Sequence, residues 1–157
     1  MARPFQLTRV ILTGVTLLAG HYLSAMESVP LKKGFLEASM DQARSENKHL
    51  YVAFLGEGWS LSSKRFKETN LNDPSFLELA RQDLVYFPVE ARRTPKLSPS
   101  ETAVLQSWVI HFDIKSYPTL ILLAPDGQEL LRHGYREMSG PDYVQLLRSI
   151  LPATTRN

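Results

Sequence analysis

Cysteine is absent from all 157 residues. Its absence excludes disulfides, thiolate nucleophiles, zinc–thiolate centres, haem attached through thiols and lipidation on cysteine. A surplus of one charge is also missing. Eighteen Lys and Arg face sixteen Asp and Glu, a formal net charge of +2, which is too little for a nucleic-acid-binding surface. There is no internal repeat, low-complexity tract or convincing linker. What is there, 43% hydrophobic and 22% charged residues, reads as a globular chain rather than a disordered or collagenous one.

The N-terminal segment stands apart. Met1 to Ala25 carries Arg3 and Arg9 and no acid, with an uncharged apolar run from Val10 to Gly20. Such a run makes about 16 Å of helix, roughly half of a hydrocarbon core. Leu23-Ser24-Ala25 then supplies small exit residues. Basic start, short apolar centre and small exit describe a secretory signal peptide over residues 1–25. The alternative is an uncleaved anchor, since Leu7 to Ala25 is interrupted only by Arg9 and His21. In either case the remainder, residues 26–157, is expected to be an exported single domain, periplasmic or secreted. Losing residues 1–25 removes two arginines and leaves basic and acidic residues equal in number. Only an uncleaved segment would then attach the chain to a membrane.

Within that domain, apolar spacing predicts a helix over Leu31 to Asn47. His49 to Leu55 is a short apolar run ended by Gly56, the pattern of a strand covered on both faces. Ser60 to Lys67 follows as a weakly signalled helix. Asp73-Pro74 is an N-cap with proline at the first helical position, opening a helix to about Arg81. Leu84 to Val89 is the next strand, and Pro88 places it at a sheet edge because proline cannot donate to a ladder. Ser98-Pro99-Ser100-Glu101 spells a capping box, followed by the apolar stripe Val104, Leu105, Trp108, Val109 and Phe112. Thr119 to Ala124 reads as a buried strand, Pro125-Asp126-Gly127 as a turn and Glu129 to Gly134 as the return strand. Pro141 and Asp142 open a last helix bearing Tyr143, Val144, Leu147, Ile150 and Leu151 on one side. Strands separated by helices imply a parallel pair, and the hairpin adds two antiparallel strands.

Two local features then combine. Gly56-Glu57-Gly58-Trp59-Ser60-Leu61-Ser62-Ser63 lies between the first strand and a helix, and Ile114-Lys115-Ser116-Tyr117-Pro118-Thr119 lies directly before the buried third strand. Over roughly residues 31–151 the chain resembles the thioredoxin-like superfamily, especially exported thioredoxin and disulfide-isomerase-like members that begin with an extra helix. The resemblance implies an α/β fold with a central mixed four-stranded sheet in the order 2-1-3-4, flanked by helices. It also implies a cis-proline at Pro118.

The departure from the family bears directly on chemistry. The two family cysteines fall on Ser60 and Ser63, giving Trp-Ser-x-x-Ser. Dithiol exchange needs a thiolate that attacks sulfur and a second thiol that resolves the mixed disulfide. Serine ionises far above any thiol and forms no disulfide. The acidic residue that family members often keep in the first strand is replaced by Ala53. Redox activity is therefore not expected; neither a catalytic residue, a cofactor nor a metal site is assigned.

Peptide pairing at the proline loop needs a main-chain edge and apolar neighbours rather than thiols. Trp59, Ser60, Ser63, Tyr117, Pro118 and Thr119 are accordingly the candidate binding residues, with unfolded or extended polypeptide, or an envelope protein, as the partner. Two other readings stand beside this one. The first is a scaffold or assembly subunit using the basic, proline-flanked stretch from Arg92 to Pro99. The second is non-thiol chemistry at Ser60, Ser62 or Ser63, for which His49, His111 and His133 supply no base at an evident spacing. Lys64-Arg65 with Lys67, and Arg92-Arg93 with Lys96, read as solvated faces or local anion contacts, too sparse for nucleic acid.

Overall fold

The computed structural model describes residues 29–151, so the expected signal segment at residues 1–25 lies outside the described residues. Among the described residues, five α-helices and four strands follow in the order α1 (Phe35–Ser45), β1 (His49–Leu55), α2 (Leu61–Phe66), α3 (Pro74–Asp83), β2 (Leu84–Glu90), α4 (Pro99–His111), β3 (Thr119–Leu123), β4 (Glu129–His133) and α5 (Gly140–Ile150). The strands form one mixed sheet ordered β2-β1-β3-β4. β1 runs parallel to β2 and antiparallel to β3, and β3 and β4 form the antiparallel hairpin. Among the described residues, no helix is long and apolar enough to cross a membrane.

Alternation along the strands sorts the core into two layers. Tyr51, Ala53 and Leu55 of β1, with Leu120 and Leu122 of β3, pack with Phe66, Phe76, Leu79, Tyr143 and Leu147 from α2, α3 and α5. Leu50, Val52 and Phe54, with Ile121 and Leu123, face Leu36 and Ala43 of α1, Trp108 of α4 and Phe112 just beyond it. Every residue of β1 is buried, as a strand covered on both faces requires. β2 lies at the edge. The Pro88 carbonyl accepts the Val29 N–H at 2.9 Å, so the backbone side on which proline lacks a donor faces away from β1. No ladder bond is lost.

The helix ends follow local chemistry. Asp73 caps α3 through its bond from the Ser75 N–H, and Ser98 with Glu101 forms the expected capping box of α4. α1 starts at Phe35 rather than Leu31, because Gly34 sits in the left-handed region at φ 88° and breaks the run. It stops at Ser45 because Asn47 adopts φ 50°, a helix-terminating conformation that asparagine tolerates. α2 continues past Phe66 into a wider π-helical turn over Lys67–Leu71. This turn brings Asn70 and Leu71 inward, and the Asn70 amide donates to the Met138 carbonyl at 3.1 Å. Such turns have no sequence pattern as distinct as a cap.

A polar chain crosses the first core layer. His133 Nδ1 lies 2.6 Å from the Gly134 carbonyl, which can only accept, so Nδ1 carries the proton. In the neutral ring Nε2 then accepts from the Tyr143 hydroxyl at 3.0 Å, and Tyr143 accepts from Tyr51 at 2.6 Å. Burial holds His133 below its ordinary value of 6.5, while the Gly134 contact works in the opposite direction. The native state therefore binds fewer protons than the unfolded chain just below that value. Stability from this group is complete above pH 6.5 and declines as pH falls. His49, also lowered by burial against an opposing Asp83 charge, adds to the same trend. The urea midpoint should drop between about pH 7.5 and about pH 5.5, with a shallower drop in His133→Gln. Parallel pH profiles for the two proteins would refute the role given to His133.

Candidate functional site

The site begins where β1 ends. Gly56 has no room for a side chain: a Cβ there would come within 2.7 Å of Ser60 Cβ and 2.8 Å of the Trp59 ring. Gly58, at φ 75°, reverses the chain into α2. Ser60 caps that helix, its Oγ accepting the Ser63 N–H at 3.2 Å. The same hydroxyl donates to the Tyr117 carbonyl at 3.3 Å, joining α2 to the loop before β3. The Tyr117–Pro118 bond in that loop is cis. Ser63 is only 2% exposed, and its Oγ accepts the Gly56 N–H at 3.0 Å.

The six candidate residues thus come together in two ranks. Trp59, 36% exposed, and the half-buried Ser60 and Tyr117 form the accessible rank. Ser63, Pro118 and Thr119 are buried behind them, and the Thr119 hydroxyl donates to the Ser116 carbonyl at 2.7 Å. The Ser63 and Thr119 hydroxyls of this buried rank bond within the site itself. The rings of Trp59 and Tyr117 meet edge to face, with centroids 5.2 Å apart. Burial pushes the Tyr117 phenol above its ordinary range, so it remains a neutral donor at physiological pH. Among the described residues, the Tyr117 N–H has no hydrogen-bond partner.

Sequence reading missed the other half of this surface. The Ala91 carbonyl accepts both the Trp59 indole N–H at 2.7 Å and the Glu57 N–H at 3.2 Å, while the Ala91 N–H donates to the Leu55 carbonyl at 2.8 Å. These bonds hold the segment after β2 against the Trp59 loop. The Arg93 guanidinium lies 4.1 Å from the indole centroid, a cation–π contact. Ala91 and Trp59 are 32 residues apart in sequence, and no local motif links them. The start of the Arg92–Pro99 stretch, expected as a separate candidate, therefore adjoins the Trp59 surface through Arg93. Leu61, 63% exposed inside the Trp-Ser-x-x-Ser segment, was the one missed residue with a visible signal: an apolar side chain in the first turn of a helix start.

Beside Trp59 a cleft of about 610 Å³ runs along α2, walled by Glu57, Leu61, Lys64, Lys67, Glu68 and Asn72; Tyr117, Pro118 and Thr119 do not line it. Of the two readings for Lys67, a solvated face or a local anion contact, the structure shows the contact. Its Nζ lies 2.7 Å from Glu90 and 3.5 Å from Glu57, and Arg92 approaches the other Glu90 oxygen at 2.8 Å. Burial opposes the charge on Glu90, but hydrogen bonds from Lys67 and Arg92 outweigh it and hold the carboxyl below its usual range. For Lys67, too, burial is outweighed, by Glu90 and Glu57. This acid is a fixed carboxylate rather than a proton carrier.

Hydrolytic chemistry finds no support in this arrangement. The Ser60 hydroxyl donates to a carbonyl, His133 is committed to Tyr143 and Gly134, and the His111 ring meets Phe112 edge to face with centroids 4.7 Å apart. Ala53 is fully buried in the first core layer. Among the described residues, no three His, Asp or Glu side chains approach closely enough to hold a metal ion.

The family profile of the thioredoxin-like domain matches residues 36–150, and the chain belongs to that family. Among solved structures it is similar to a protein titled DsbH oxidoreductase, at 18% identity and a TM-score of 0.68, covering 96% of this chain and 94% of that one. It is also similar to the C-terminal domain of DsbD from Neisseria meningitidis in its reduced form, at 16% identity and a TM-score of 0.56, covering 77% of this chain and 98% of that domain. A disulphide isomerase from Xylella fastidiosa Temecula1 matches at 11% identity and a TM-score of 0.53, covering 73% of this chain and 87% of that one. At these identities the likeness is one of fold. No curated protein sequence matches the chain.

Removing the Ser63 hydroxyl leaves the buried Gly56 N–H without a partner. Ser63→Ala should cost about 1–3 kcal/mol of unfolding free energy in urea titration. Ser62→Ala, which removes no hydrogen bond among the described residues, should stay within about 0.5 kcal/mol of wild type. Equal effects would show that Ser63 is not a structural acceptor.

Proposed function

We propose that this chain is an exported, redox-inactive thioredoxin-like protein that binds extended polypeptide, or a partner protein presenting such a segment, in the cell envelope. Redox inactivity rests on the lack of cysteine in the whole sequence. With hydroxyls at both motif positions, electron exchange through sulfur has no donor. Export rests on the basic and apolar character of residues 1–25.

The observation that carries the binding reading is a part-exposed Trp59 beside a Tyr117 N–H that has no hydrogen-bond partner among the described residues. An extended peptide laid along this loop would meet an aromatic wall and one main-chain donor, the ingredients of strand addition. Exposed Leu61 widens the apolar area. Because Ser60 already bonds the Tyr117 carbonyl at 3.3 Å, its hydroxyl positions the loop rather than reacting with the ligand. An assembly role through Arg92–Pro99 draws on this same surface, since Arg93 covers the indole.

Purified protein should not accelerate dithiothreitol-driven insulin reduction above buffer; measurable turnover would defeat the redox-inactive assignment. In fluorescence anisotropy with a labelled unfolded client, Trp59→Ala should weaken binding by about tenfold, the loss typical of a buried aromatic anchor. Equal affinity in a Trp59→Ala protein of unchanged circular dichroism would move the binding surface elsewhere.

A further inference from the structure

Around Trp59, the Ala91 and Tyr117 carbonyls and the Glu90 carboxylate are engaged, whereas the Tyr117 N–H, Arg93 and Lys96 have no hydrogen-bond or ion-pair partner among the described residues. The Ala91 carbonyl takes two N–H groups and the Tyr117 carbonyl takes the Ser60 hydroxyl. The Glu90 carboxylate is held by Lys67 and Arg92, and Glu57 faces Lys67 at 3.5 Å. Arg93 and Lys96, both exposed and on one short stretch, have no carboxylate partner among the described residues. The cation–π contact at 4.1 Å restrains the Arg93 guanidinium over the indole, and the residue remains exposed. A cation restrained in this way loses less side-chain entropy when it pairs, and its planar fork matches a carboxylate.

A ligand for such a face must bring acceptors. We propose that the segment docking on Trp59 is acidic: an extended polypeptide stretch whose Asp or Glu carboxylates pair with Arg93 and Lys96. Its main-chain carbonyl accepts the Tyr117 N–H. This specificity rests on the polypeptide-binding reading above and names the class of partner that reading leaves open. Apolar contact with Trp59 and Leu61 supplies adhesion, and the two cations supply the choice between sequences.

The test compares fluorescein-labelled peptides of alternating Ser and Asp with the matched Ser and Asn peptide, titrated into the full chain. The Asp peptide should bind roughly tenfold more tightly at low salt, as expected from two exposed charge pairs, with the advantage shrinking as salt is raised. Arg93→Gln combined with Lys96→Gln should bring the two peptides to within about twofold of each other. Urea titration of the double variant serves as the folding control. If both peptides bind wild type equally and Trp59→Ala weakens both, the acidic preference is refuted while the binding surface stands. If neither peptide binds, the surface itself is refuted and the preference with it. Arg93-dependent sedimentation with phosphatidylglycerol vesicles, without discrimination between the peptides, would overturn the assignment in favour of anionic headgroups.

Discussion

One hydroxyl holds the site together. Ser60 Oγ accepts an amide from its own helix at 3.2 Å and donates to the loop before β3 at 3.3 Å. A thiol is a weak donor and a weak acceptor, whereas a hydroxyl does both well. The same holds for Ser63, whose buried oxygen satisfies the Gly56 N–H that the close turn around Trp59 would otherwise leave unpaired. The positions where the family places reactive sulfur are here occupied by oxygens engaged in hydrogen bonding. The fold keeps its thioredoxin-like geometry, and the hydroxyls at the two motif positions hold the turn and the loop through hydrogen bonds.

That fixed turn has an electrostatic counterpart. Ala91 binds the Trp59 loop through both its N–H and its carbonyl, and the chain beyond it carries Arg92 toward Glu90 and Arg93 over the indole. Glu90, 8% exposed, is tolerated because Lys67 and Arg92 reach both of its oxygens. The π-helical turn over Lys67–Leu71 begins at the residue that supplies one of those cations. Loop, helix extension and edge strand therefore meet at a single charged cluster beneath the exposed aromatic surface.

The parts of this structure that sequence reading anticipated are those governed by neighbours in the chain. Asp73, Ser98 and Glu101 cap helices through partners two or three residues away, and Pro88 declares an edge strand by what its nitrogen lacks. The spacing of Trp59, Ser60 and Ser63 against Tyr117-Pro118 was likewise visible, because the family arrangement preserves it. Arg93 over Trp59, Lys67 against Glu90 and His133 against Tyr143 were not visible, since each pairs residues brought together only by the completed sheet. Burial also divides the candidate residues in a way that spacing cannot: Ser63 and Thr119 turn inward while Trp59 stays at the surface.

The chain from Tyr51 through Tyr143 to His133 spans β1, α5 and β4. Its oxygens and nitrogens are aligned in one direction, each satisfied by the next. Sliding α5 by a single turn, about 5.4 Å, would preserve much of an oily contact but break both bonds of the Tyr143 hydroxyl, leaving the Tyr51 hydroxyl and His133 Nε2 without it. Greasy surfaces tolerate such slippage, and this one does not. The hydroxyl–imidazole row acts as a key that admits a single seating of the last helix on the sheet.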